Sequence, residues 1–471
     1  MGLASRDMEK IIAAVTQEIM KLNLASDGKL GIYDTIAEAA EASYVAQQNL
    51  TAFTVQNRKE FITALREAAV DKAQLLAEMA VEETGMGRVA DKIIKNKLAA
   101  QLTPGTEDLR TEAYTGDKGL TLVEMAPFGV IGSITPVTNP VATIINNAIG
   151  MIAAGNSVIF CPHPSAKNTA HKTIEILNKA IISRGGPADL LCTPREPSIK
   201  AVQELMNHPK VRLLCATGGP EVVKAALSSG KKAIGAGAGN PPVVVDETAD
   251  IEKAARDIVS GATFDNNLPC ISEKSVIVVG RVADMLVNYM QKNGALLLQG
   301  EQVAKLNQLV LLEKRDESGR VKYYPEKQFV GKDARVILAK IGIHVDDNIR
   351  GILTEVDGNH PFVLTELMMP IIPVVQVKNI DEAIALAVKV EHGNRHTAIM
   401  HSKNVDNMTS LARAIQTTIF VKNAPSYAGI GVGAEGYTTF TIAGPTGEGL
   451  TSARTFTRIR KCVLVDALSI V

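Results

Sequence analysis

The 471-residue sequence contains no tryptophan, and aromatic residues make up only 4% of it. That removes the stacking platforms on which single-stranded nucleic acid is usually held. It has no excess of charge: 50 Lys plus Arg balance 50 Asp plus Glu, and no block of one sign stands out. Nucleic acid and membranes are therefore not expected partners. The five cysteines include no Cys-x-x-Cys pair, so the pattern offers neither a disulfide framework nor a zinc ribbon and fits a reducing compartment. No metal site is expected. No apolar run approaches the ~18 residues of a membrane helix, and MGLASRDMEKII lacks the basic-then-apolar order of a secretory signal. A soluble intracellular protein is expected, and at ~100 to 200 residues per domain the length implies two or three domains.

What the sequence does contain is one cysteine in surroundings that packing alone does not explain. Cys161, Cys192, Cys215 and Cys462 each adjoin apolar strand-like residues and read as small buried hydrophobes. Cys270 follows the polar run Asp265, Asn266, Asn267 and then Pro269, in FDNNLPCISEKSV, before the strand pattern SVIVV begins. A loop cysteine between two ordered elements can meet a substrate and act as a nucleophile, although a cysteine that merely fills a turn reads the same way locally.

Taken in order, the chain opens with Met8, Ile11, Ile12, Val15, Ile19 and Leu22 at three- and four-residue spacing. This is an amphipathic helix, and the linker NLASDGKLG sets it apart from the body. From Thr35 to Lys97 helices follow one another, broken at EETGMG. From Leu120 strands alternate with helices: LTLVEMAPFGVIGSI, NPVATIINNAIGMIAAG, SVIFC, AKNTAHKTIEILNKAII, DLLCT, SIKAVQELM, VRLLCAT, PEVVKAAL, KAIGAG and PPVVVD. The alternation resumes with SVIVV, VADMLVNYMQKNG, ALLLQ and EQVAKLNQLVLL. A polar stretch from Glu313 to Lys327 follows, with VILAKIGI in the next strand position. The fold class is α/β with parallel sheets, whose ligands bind beyond the carboxyl ends of the strands.

Two loops at such ends stand out. Gly218-Gly219-Pro220 after VRLLCAT brings bare backbone and a helix N-terminus together, which suits a pyrophosphate. Asn139, between Pro136 and Pro140, is positioned either to donate a fixed hydrogen bond or to cap the following helix. Further on, Glu366 lies beside an apolar strand, and His396 or His401 in HTAIMHS offers a base for Cys270. The glycine- and threonine-rich segment after Gly429 reads as surface loops or close backbone packing. The terminal KCVLVDALSIV reads as a strand with a free edge.

ITPVTNP, ATGGPEVV, FDNNLPCISEK and TELMMPIIPVV, in that order, resemble the aldehyde dehydrogenase superfamily over nearly the whole chain. ETGMG, PHPSAKN, GAGAGNPPVVVDETAD, HTAIMHS, IFVKNAPSYAGIGVG and GPTGEGLTSARTF narrow this to its coenzyme-A-acylating propionaldehyde and acetaldehyde members of bacterial microcompartments. The resemblance implies an encapsulation helix at 1–24 that meets shell or core proteins, and a linker at 25–34. It implies a Rossmann-type NAD-binding domain at 35–245, of which 110–128 serve oligomerisation, and a catalytic α/β domain at 246–440. A C-terminal loop and oligomerisation strand at 441–471 complete a homodimer or homotetramer.

By the same resemblance Cys270 is the nucleophile and Asn139, with the Cys270 amide, the oxyanion donor. Thr217 and Gly218 form the cofactor turn, and Glu366 contacts the nicotinamide ribose. His163 stands where hydrolytic relatives carry a lysine on the adenosine ribose. Thr135, Pro136, Gly219, Gly235 and Ala236 complete the cofactor-binding set. Hydrolytic relatives carry a general-base glutamate just before a Gly-Gly pair; the corresponding stretch here reads IGAGAGN, with Gly235 at or near that position and no carboxylate in it. The expected reaction is oxidation of a short aliphatic aldehyde, propionaldehyde favoured over acetaldehyde, with NAD and coenzyme A to acyl-CoA. The rivals are a hydrolytic aldehyde dehydrogenase, a cysteine hydrolase using His396, and a non-catalytic scaffold.

Overall fold

The computed structural model describes residues 30–315, 319 and 321–469. The proposed encapsulation helix lies outside them. Strands buried on both faces read as continuous apolar runs, and two parallel sheets are built from such runs. The first has six strands in the order Ile32–Tyr33, Leu191–Pro194, Ser157–Pro162, Val130–Thr135, Val211–Thr217 and Lys232–Ala236. Successive side chains of a strand point to opposite faces. Ile131, Val158 and Leu213 accordingly meet Phe61, Ile144 and Ile174 in one core, whereas Val130, Ile159 and Leu214 meet Ile36, Ala40 and Leu205 in another.

The second sheet has seven strands in the order Ala295–Leu298, Gly351–Glu355, Ile371–Val377, Ser275–Val279, Pro242–Val245, Thr397–His401 and Ile419–Lys422, all parallel. A third, antiparallel sheet joins Glu112–Gly116, Gly119–Pro127 and Thr457–Val465.

Several expectations change at this level. LTLVEMAPFGVIGSI is not one strand: the chain turns at Phe128 and Gly129, whose φ of 119° only glycine takes readily. Its two halves belong to different sheets. PPVVVD, expected within 35–245, pairs with Ser275–Val279 and Thr397–His401, so the chain passes to the second sheet before Pro242. Ile32–Tyr33, expected in the linker, is an edge strand of the first sheet. VILAKIGI gives the helix Ala334–Ala339; the strand is Gly351–Glu355. The polar stretch after Leu311 is a hairpin, Leu311–Arg315 with Val321–Pro325. Cys462 is exposed rather than buried, because among the described residues its strand packs on no core.

Candidate active site

The helix Ile251–Thr263 runs into three consecutive residues with left-handed backbone, Asp265 at φ 47°, Asn266 at 55° and Asn267 at 65°. Asn and Asp tolerate this region best among residues with a side chain, and here each side chain fastens the turn. Asp265 accepts from the Arg88 amide at 2.7 Å, from Lys92 Nζ at 3.0 Å and from Lys95 Nζ. Asn266 Nδ2 donates to the Gly331 carbonyl and to Asp333, both at 2.9 Å. Asn267 Nδ2 donates to the carbonyls of Ala262 and Glu273 at 2.8 and 2.9 Å. All three are buried, so the polar run is a set of anchors rather than a solvated loop. Beyond it, Lys274 Nζ donates to Asn267 Oδ1 at 2.7 Å, and buried Glu273 accepts from the amide and hydroxyl of Ser426 at 2.7 and 2.6 Å.

Cys270 sits half-buried at the end of this turn, packed on an apolar cluster that includes Leu98, Leu102, Ile271, Tyr427 and Ile430. Burial, and then the negative charge of Glu366, push its thiol up to about 12, while the ammonium groups of Lys274 and Lys95 pull it down. Glu366 lies 3.9 Å from Lys274 Nζ; burial raises its own carboxyl, and Lys274 and the Gly239 amide oppose that. The two candidate histidines separate. A Cβ built on Gly239 would lie 2.5 Å from the Cys270 carbonyl and 3.0 Å from the His396 ring, which places His396 beside the cysteine turn. Its Nδ1 is engaged with Thr397 Oγ1 at 2.8 Å, its Nε2 has no hydrogen-bond partner among the described residues, and burial lowers it to about 4. His401, at the far end of the same strand, feels Asp257 and Lys253 instead.

Asn139 lies between the strand Val130–Thr135 and the helix Pro140–Ala153. It occupies the N-cap position, yet its side chain makes no capping bond. Its Oδ1 accepts from Lys95 Nζ, and its Nδ2 meets only Thr138 Oγ1, at 3.4 Å. Asn139 caps the helix through its backbone carbonyl, which accepts from the Thr143 amide at 3.1 Å, and its side-chain amide is left open to a donor role.

Except for Glu366, which precedes the strand Ile371–Val377 of the second sheet, the expected cofactor residues lie at or near the strand ends of the first sheet. Thr135 is buried with its hydroxyl unpartnered. Thr217 Oγ1 bonds Thr441 Oγ1 at 2.8 Å, and the Gly218 amide donates to the Ala236 carbonyl at 3.1 Å. Gly219 caps the helix Pro220–Leu227 with no side chain, and a Cβ there would meet nothing within 4 Å, so the helix N-terminus is approachable. His163 is exposed after the strand Ser157–Pro162, with Lys327 close enough to lower it further than burial does alone. The orphaned hydroxyl and the open glycine backbone fit a dinucleotide.

Residues 6–438 match the model of the aldehyde dehydrogenase family. The chain belongs to the aldehyde dehydrogenase family. It is 52% identical over 469 residues, 99% of each chain, to the acetylating acetaldehyde dehydrogenase EutE of Escherichia coli. It superposes with a TM-score of 0.90 on the propionaldehyde dehydrogenase of Rhodopseudomonas palustris with bound CoA and an acylated cysteine. That pair is 54% identical, with 93% of this chain and 99% of the other covered. The TM-score is also 0.90 with a propionaldehyde dehydrogenase from the fucose utilisation bacterial microcompartment of Clostridium phytofermentans, 53% identical over 94% of this chain and all of the other.

Within this aldehyde dehydrogenase, Gly235 is enclosed. Its amide donates to Thr446 Oγ1 at 3.2 Å, and a Cβ would lie 2.7 Å from Val223 Cγ1. No side chain, glutamate included, fits there unless Val223 moves. The residues that sequence reasoning missed are Lys92, Lys95, Glu273 and Lys274. The helix Val89–Leu102 buries Lys92, Lys95 and Asn96 on the face that also buries Ala99. Polar residues at core spacing were the available signal.

Proposed function

We propose that the chain oxidises a short aliphatic aldehyde with NAD and coenzyme A to the acyl-CoA, through a thioester on Cys270. The observation that carries this reading is the placement of Cys270 in an apolar cluster at the end of a turn whose Asp265 is held by Lys95, the same ammonium that holds Asn139. The Cys270 thiolate adds to the aldehyde carbonyl, and the oxyanion accepts hydrogen bonds from Asn139 Nδ2 and the Cys270 amide. Lys274 and Lys95 favour the thiolate against burial and Glu366. His396 stands beside the turn with Nε2 unpartnered among the described residues, but burial and Lys274 weaken it as a base. NAD, when bound, accepts hydride; Thr135, Pro136, Thr217, Gly218, Gly219, Ala236, His163 and Glu366 would hold it. Coenzyme A then attacks the thioester as thiolate, releasing acyl-CoA and free Cys270. The enclosed Gly235 leaves no carboxylate at the position from which hydrolytic relatives activate water.

Propionaldehyde is favoured and acetaldehyde is the alternative; one methylene discriminates by only ~1 to 3 kcal/mol. Residues 1–24 serve as the encapsulation segment, through which shell or core proteins would hold the enzyme in a bacterial microcompartment. The three-stranded sheet is the oligomerisation element: its outer strand Thr457–Val465 carries Ile459, Val463 and Val465 on one face at 72%, 55% and 65% exposure, an apolar face suited to a second copy.

The test is NADH formation from propionaldehyde and NAD, with and without coenzyme A, mass spectrometry of the product, and Cys270→Ala as control. Turnover that requires coenzyme A and yields propanoyl-CoA is expected. Free acid formed without coenzyme A, or an active Cys270→Ala variant, overturns the reading.

A further inference from the structure

Lys95 is 1% exposed, an unusual place for an ammonium, and both of its partners belong to the site. One is the carboxylate of Asp265, five residues before Cys270; the other is Asn139 Oδ1. We propose that Lys95 is a positioning residue that fixes the orientation of the Asn139 amide, and that through Asp265 it ties this amide to the turn carrying Cys270.

The argument starts from donor and acceptor inventories. An ammonium has three donors and no acceptor, whereas a carboxamide has one acceptor end and one donor end. Facing Lys95, Asn139 can present only its oxygen; rotated by half a turn, its NH2 would meet the buried NH3⁺ donor against donor. The donor end is therefore held away from Lys95, and Thr138 Oγ1 at 3.4 Å engages it only weakly. An amide at this position without such a partner would be free to turn, because its side chain makes no capping bond to hold it.

Neutralising Asp265 does not by itself require Lys95. Lys92 Nζ already stands 3.0 Å from the same carboxylate oxygen, and the Arg88 amide donates to the other at 2.7 Å. The second lysine adds what the first cannot: it reaches Asn139, whereas Lys92 reaches only the backbone carbonyl of Thr138, at 3.3 Å. Burial and Lys92 lower the Lys95 ammonium to about 8, against the pull of Asp265 and Asp91. Asp265 is locked in turn, for a Cβ on Gly87 would lie 2.2 Å from its Oδ1. The helix Val89–Leu102 thus sets the geometry between oxyanion donor and nucleophile, two parts of the site that sit on different sheets.

This inference rests on the acyl-transfer reading, and a double-mutant cycle separates the two. Aldehyde oxidation is measured with NAD and coenzyme A for the full-length enzyme, Lys95→Met, Asn139→Ala and the double variant. Removing an oxyanion donor costs about 10² to 10³ in kcat. Lys95→Met is expected to lose about 10²-fold in kcat with little change in aldehyde KM, and to add less than about threefold in the Asn139→Ala background. Lys95→Gln, whose amide can still donate to Asn139, is expected to recover part of the loss, and it serves in the same cycle if Lys95→Met does not fold. Losses that multiply in the double variant, or a Lys95→Met enzyme with unchanged kcat, overturn the role of Lys95. An unmodified enzyme that makes no acyl-CoA would instead overturn the acyl-transfer reading.

Discussion

Glu273 gives the turn that carries Cys270 a measurable pH response. Its carboxyl is fully buried three residues after the cysteine, and burial raises it from 4.5 to about 7, against the donors of Ser426 and the charge of Lys274. Lys274 cannot neutralise it closely, because that ammonium is committed to the carbonyl and side chain of Asn267 at 2.8 and 2.7 Å. The folded chain therefore holds a proton that the unfolded chain releases near 4.5, and stability falls as pH rises between 4.5 and about 7. At ~1.4 kcal/mol per unit the loss is about 3 kcal/mol, fully avoided below the lower value and complete above the upper one. In Glu273→Gln the carbonyl can accept from the Ser426 amide and the NH2 can donate to the Ser426 hydroxyl, with no proton to lose. Denaturant unfolding of both chains at equal concentration from pH 5 to 8 cancels the contributions of all other groups. The parent chain should lose about 2 to 3 kcal/mol relative to Glu273→Gln across that range, the remainder of the loss falling below pH 5. A constant difference, or one that moves in the parent's favour as pH rises, refutes the assignment of a protonated Glu273.

Glu366→Gln removes the charge that, after burial, does most to hold the Cys270 thiol up. Iodoacetamide should then modify Cys270 about 3- to 10-fold faster at pH 8 in cofactor-free enzyme, while the KM for NAD rises; an unchanged alkylation rate would remove Glu366 from the thiol's surroundings. Gly235→Glu alone should yield no coenzyme-A-independent acid and should cost about 1 to 3 kcal/mol, since its Cβ falls 2.7 Å from Val223 Cγ1. Free acid from that single variant, detected by mass spectrometry without coenzyme A, would show that Val223 yields and that the missing carboxylate alone bars hydrolysis.

What could be read from the sequence follows the range over which each signal acts. Strands such as SVIFC and SVIVV announce themselves because burial on both faces demands an unbroken apolar run, which is a local property. The strand Gly351–Glu355 is missed because VILAKIGI upstream is more apolar, and tertiary packing made that segment a short helix. PPVVVD is correctly a strand but is placed with the wrong sheet. Only its pairing with Ser275–Val279 and Thr397–His401, the latter more than 150 positions away, decides where it belongs. Cys462 has apolar neighbours like a core residue, yet among the described residues its strand packs on no core, and sequence alone does not distinguish the two.

The site divides in the same way. Cys270 and Asn139 stand out because proline and polar runs isolate them locally. The groups that set their geometry do not, because Lys95 reaches Asp265 across 170 positions and Ser426 reaches Glu273 across 153. A buried lysine on an otherwise ordinary helix looks like a solvated charge until its partner is known. Its burial is tolerable only because a carboxylate and an amide oxygen await it, and neither lies on its own helix. The groups proposed to react are therefore legible as chemistry. The groups that aim them become legible only once the two sheets are brought together and the cost of every buried charge has to be met by a named partner.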